Sequence, residues 1–157
     1  MRTRPEKGGP GARPPLCGVV QTLPPTLVLD ALTAAPFGDG EIDVMTDLRC
    51  ELEADHRGHH ADAVRLLDGS PPETLWTQWT DWRVPVKVLV LRDCARVGGE
   101  DPRGGDDACT LFADHPGTCS FDLFDPEHER FLAAHPAYRY LFAREGKPDE
   151  AGARCCL

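Results

Sequence analysis

The sequence predicts an α+β fold: small antiparallel sheets, loops held together by side-chain staples, and a C-terminal helical segment. Three observations carry this. Polar and apolar residues alternate over 41–52, Trp- and Val-rich stretches follow at 74–91, and Asp125-Pro126-Glu127 opens a helix late in the chain. Pro and Gly, at 15 each among 157 residues, imply many loops, and a chain so rich in loops needs a staple beyond its apolar core.

The elements follow in order. Residues 1–15 (MRTRPEKGGPGARPP) offer little to bury and read as a disordered basic tail, in which Arg2, Arg4, Lys7 and Arg13 face only Glu6. Order is expected from Leu16-Cys17. Val19–Val20 and Thr26–Leu29 read as short extended segments around Pro24-Pro25, with Leu27–Leu32 an alternative helix start. The clearest strand is Glu41–Leu52. Ile42, Val44, Leu48, Cys50 and Leu52 fall on one face, and Glu41, Asp43, Asp47, Arg49 and Glu51 on the other. Ala61–Leu67 is the expected return strand after a turn at Asp55–Gly58. Thr74–Trp82 and Val84–Leu91 are further strands, and Gly98–Asp107 a polar loop. The helix begins with an N-cap acid, Pro at its first position and Glu127 in its first turn; Pro136 interrupts it. The apolar load of this region, from Phe131 and Leu132 to Tyr138, Tyr140, Leu141 and Phe142, is expected to dock on the sheet, with another protein as the alternative. Residues 147–157 form a polar tail ending in Cys155-Cys156-Leu157.

Within this framework two stretches repeat. Residues 50–60 and 109–119 share C-x-L-x-A-D-H-x-G-x-[HC]. Cys and His are strong transition-metal ligands, and a glycine two residues after the histidine permits a left-handed turn. Cys50, His56 and His60, with Cys17, make one four-ligand set; Cys94, Cys109, His115 and Cys119 make the other. His59 could stand in for its neighbour His60. Tetrahedral Cys/His sets suit zinc, so one or two structural zinc ions are expected within a domain spanning 16–146. Asp55 and Asp114 are candidates to orient the ligand histidines. Cys17 lies 33 residues before Cys50 and Cys94 only 15 before Cys109, so the units match only in their core motif.

The C-x-L-x-x-x-H-x-G-x-[HC] motif, about a dozen residues per copy, resembles one in uncharacterised small proteins of actinobacteria. There it is often followed by Ser/Thr-aromatic-Asp, as in Ser120-Phe121-Asp122 here. The resemblance implies zinc binding and brings no activity.

Trp76, Trp79 and Trp82 crowd one segment, with Trp76 and Trp82 on one face of a strand and Trp79 on the other. They read as the bulk of a small core, with an aromatic platform as the alternative. His128 and His135 read as surface residues. Cys155 and Cys156 do not make a prenylation tail, because Arg154 stands four residues from the end.

A net charge of -9 argues against nucleic acid and anionic membranes as partners. No apolar run approaches the ~20 residues of a membrane span. No secretory leader is visible, so a cytoplasmic location and a protein partner are expected. Thiolate-rich closed sites favour a non-catalytic, zinc-finger-like binding or adaptor module. The alternative is a zinc hydrolase with an open site at Cys50, His56 and His60, in which Glu53 or Asp62 serves as base. It requires Cys17 to lie out of reach.

Overall fold

The structure, a computed structural model, describes residues 12–34, 43–67, 71, 73–100 and 106–138. Most of the basic tail and all of the C-terminal tail, with Cys155 and Cys156, lie outside the described residues.

The order is β1 (Val20–Thr22), α1 (Pro25–Thr33), β2 (Asp47–Arg49), β3 (His60–Leu67), β4 (Glu73–Trp79), β5 (Val88–Arg92), β6 (Val97–Glu100), β7 (Asp106–Ala108), a 3-10 turn (Ser120–Asp122) and α2 (Pro126–Ala134). β3-β4-β5 form an antiparallel meander, flanked by the two-stranded pairs β1-β2 and β6-β7. The fold is thus α+β with small antiparallel sheets and few helices.

Thr26–Leu29 is helical, not extended. Pro25 sits at the start of α1, where its fixed φ suits a helix and its missing N–H costs nothing. Leu27 and Ala31, one helical turn apart, enter the core. The Arg65 guanidinium donates to the Ala31 carbonyl at 3.0 Å, placing a cation at the helix C-terminus.

The alternation read over 41–52 holds on its apolar side, where Leu48, Cys50 and Leu52 are at most 1% exposed, but only in part on the other: Asp47 is exposed, whereas Arg49 and Glu51 are half-buried. Ile42 lies outside the described residues. The regular ladder is short, confined to Asp47–Arg49. Gly18, at φ +69, breaks the partner strand, and the Asp62 carboxylate takes the Arg49 N–H at 2.7 Å. β3 does run back past β2, but its long ladder is with β4, broken by one register shift between Ala63 and Arg65. Burial drives the Asp62 carboxyl up to about 6, against the Arg49 and Ala63 N–H groups that favour its charged form.

Trp76 and Trp79 are both in the core, at 0% and 2% exposure, because β4 is covered on both faces. Trp82 is 91% exposed. The strand ends before it, and Thr80↔Arg83 closes a tight turn around Asp81-Trp82. Part of the expected Gly98–Asp107 loop is a hairpin, with Val97↔Ala108 and Glu100↔Asp106 paired.

α2 starts where its cap predicts: the Asp125 carboxylate accepts the Glu127 and His128 N–H groups. The helix buries none of its residues, so it does not dock on a sheet by its apolar face. It is tethered at its N-terminus instead. Asp125 makes a two-pronged ion pair with Arg49, at 2.7 and 2.8 Å, which holds its carboxyl well below the usual carboxylate range. Just before it, Phe124 hydrogen-bonds to Pro14 and Leu16, so the ordered chain starts earlier than Leu16. Prolines lack an N–H but offer a carbonyl, and Pro14 and Pro15 both use theirs.

Candidate metal centres

Each repeat is built on two antiparallel segments, and three of their backbone bonds correspond. In the first unit Cys17 N–H donates to Leu52 O at 2.8 Å, Cys50 N–H to Val19 O at 2.9 Å, and Ala54 N–H to Pro15 O at 2.8 Å. In the second, Cys94 N–H donates to Leu111 O at 2.7 Å, Cys109 N–H to Arg96 O at 2.9 Å, and Ala113 N–H to Arg92 O at 2.8 Å. Beyond these bonds Val20 pairs with Arg49, and Val97 with Ala108, at matching positions. The units therefore match well outside the core motif, contrary to what their unequal spacing suggested. The first unit inserts α1 and the segment after it between its strands; the second makes a hairpin there.

The turns correspond as well. Asp55 and Asp114 have φ 60 and 61, a conformation Asp tolerates better than most residues, and Gly58 and Gly117 have φ 95 and 80. These reversals carry His56 and His115 back toward the thiols. The His N–H in each unit bonds to the carbonyl three residues earlier, Glu53 O or Phe112 O, at 3.3 Å. Asp55 and Asp114 are exposed turn formers and not supports for an imidazole.

This frame gathers all eight predicted residues into two sets. Cys17, Cys50, His56 and His60 bring four donor atoms within 4.8 Å of one another, and so do Cys94, Cys109, His115 and Cys119. Either group could hold a metal ion. His60, not the exposed His59, joins the first set. Within the sets, Cys17 Sγ is 3.5 Å from His60 Nδ1, Cys50 Sγ 3.5 Å from His56 Nε2, and Cys109 Sγ 3.5 Å from His115 Nε2. Cys119 Sγ lies 3.7 Å from His115 Nε2.

The electrostatics of the two sets differ. Burial pushes the Cys50 thiol up to about 12, despite the Ala61 and Leu52 N–H groups that favour a thiolate. Burial also acts on Cys109, but there the Ser120 and Leu111 N–H groups and the Ser120 hydroxyl outweigh it, leaving the thiol below its ordinary value. Ser120 N and Oγ stand 3.5 and 3.8 Å from that sulfur. Burial, then the neighbouring Cys109, raises the Cys119 thiol. Burial and then His60 hold His56 below the usual imidazole value, a shift toward the neutral form that a ligand needs.

Two residues outside the ligand sets complete the geometry. Asp81 Oδ1 is 2.6 Å from His60 Nε2, fixing that ring so that Nδ1 faces the cysteines. No sequence spacing pointed to Asp81. It reaches His60 because β3 and β4 pair His60 with Trp79, two residues before it. Glu53 crosses between the units: its Oε2 accepts the Thr118 N–H at 2.8 Å and the Thr118 hydroxyl at 2.6 Å. Comparison with protein-family models, curated proteins and solved structures finds no match for this chain.

Proposed function

We propose that this chain is a non-catalytic binding or adaptor module for a protein partner, held in shape by two structural zinc ions. One observation carries the reading: eight Cys and His side chains converge as two sets of four donors. Zinc bonds of ~2.3 Å to sulfur and ~2.0–2.1 Å to nitrogen, at tetrahedral angles, put sulfur and nitrogen about 3.6 Å apart. The thiol–imidazole separations of 3.5, 3.5, 3.5 and 3.7 Å fit the edges of such tetrahedra. Two further features favour zinc. The donors are thiols and imidazoles only, and His60 has an outer carboxylate in Asp81.

The hydrolase alternative needs a free coordination position and a free base. Cys17 supplies a fourth donor to the first set. Glu53 is taken up by Thr118, and Asp62 by the Arg49 and Ala63 N–H groups. Both considerations favour closed, structural sites.

Metal quantitation on the full chain, purified without added metal, tests this. The expected result is two zinc ions per chain, with loss of native near-ultraviolet dichroism when a strong chelator removes them. A chain that carries no zinc and gives a dispersed NMR spectrum in chelator sinks the proposal.

A further inference from the structure

A cavity of about 360 Å³ lies beside the first Cys/His set, where the meander comes apart. The β4–β5 ladder ends at Thr77↔Val88, while Trp79 still pairs with His60 of β3. The intervening Val84–Lys87 forms no ladder, because Pro85 has no N–H to give and its ring is buried. The chain bows there and leaves a hollow between this segment and the end of β4.

The walls of the hollow have a definite chemistry. Trp79, Val84 and Val86 form its apolar side. His59, Arg83 and Lys87 border it with nitrogen-bearing side chains, and among the described residues no acid lines it, in a chain with 26 acids against 17 Lys and Arg. Neither Arg83 nor Lys87 is ion-paired among the described residues. Asp81, the acid nearest in sequence to Arg83, is occupied by His60. Trp79 is 2% exposed, and its indole N–H is buried without an acceptor.

We propose that this cavity binds a small organic carboxylate with an apolar body. Two cations without an ion-pair partner among the described residues call for an anion. The guanidinium fork of Arg83 matches a planar carboxylate, and the Trp and Val walls match an apolar substituent. The volume sits at the small end of the ~300–1,000 Å³ range of ligand sites.

An NMR titration of the full, ¹⁵N-labelled chain tests the site, with benzoate as the probe and its neutral analogue benzamide and inorganic phosphate as controls. Benzoate is expected to shift the Trp79 indole N–H resonance saturably, and to bind at least ~10-fold more tightly than either control. Arg83→Gln with Lys87→Gln, both exposed positions, should leave the spectrum's dispersion intact and weaken benzoate by about 10-fold or more. Equal binding of benzoate and benzamide, equal binding of phosphate, the absence of a saturable shift, or unchanged benzoate binding in the double variant overturns the proposal.

Discussion

The two Cys/His units have the same backbone frame but different surroundings. The first belongs to the meander: its last ligand, His60, is the first residue of β3, and its Cys50 is fully buried. The second follows the meander, leads into a 3-10 turn, and leans on the first through Thr118 and Glu53. The first set offers two thiols and two imidazoles, one braced by Asp81; the second offers three thiols and an imidazole, with the Ser120 N–H and hydroxyl beside the Cys109 sulfur. Backbone N–H groups face a cysteine in both units; what differs is the added support, an outer carboxylate on a histidine in the first and the Ser120 hydroxyl on a cysteine in the second.

The strongest way to break the comparison is to remove one thiol from each unit. Cys50→Ser and Cys109→Ser should each lose one zinc per chain. Cys50→Ser should also abolish cooperative thermal unfolding, because its unit is continuous with the β3–β4 ladder. Cys109→Ser should leave the meander folded and cost less, as read by amide-exchange protection of β3 and β4. Equal loss of protection in both variants would show that the units fold as one.

The matched glycines sharpen the comparison. Gly58→Ala meets nothing within 4 Å, so only its φ of 95 opposes the change, at roughly 1–2 kcal/mol. At Gly117 the added carbon would also lie 2.8 Å from Glu53 Oε2 and 3.0 Å from Glu53 Cβ, raising the cost by a further ~1–3 kcal/mol. In denaturant melts, Gly117→Ala should be the more damaging. Glu53→Ala should recover part of the difference, a coupling that a double-mutant cycle reads directly.

The smallest effect concerns Asp81. Asp81→Ala is expected to weaken metal at the first set by ~10–100-fold, with the second set unchanged, in a competition titration against a chromophoric chelator. Equal weakening at both sets would show that Asp81 acts on the fold and not on His60.

Much of this could be read in the sequence because it is local. The duplicated motif placed six of the eight ligands, since a turn's geometry is set by the residues inside it: an Asp and a Gly that accept positive φ, at fixed distances from Cys and His. The α2 start was legible for the same reason, as Asp125, Pro126 and Glu127 act within one helical turn. α1 was harder, because Pro24-Pro25 suits an extended segment as well as a helix start, and the burial of Leu27 and Ala31 decided it.

What only the tertiary structure decided lies between segments far apart in the chain. The unequal spacings hid the fact that Cys17 and Cys94 occupy equivalent places, because a strand pairing specifies its partners and not the length of chain between them. Asp81 reaches His60 through the register of β3 and β4, Glu53 reaches Thr118 through the packing of one turn on the other, and Arg49 reaches Asp125 across 76 positions. The sequence by itself determined which side chains could bind a metal and how each turn would present them. The pairing of distant strands determined that they converge four by four, because register, unlike turn chemistry, is settled only when both strands meet.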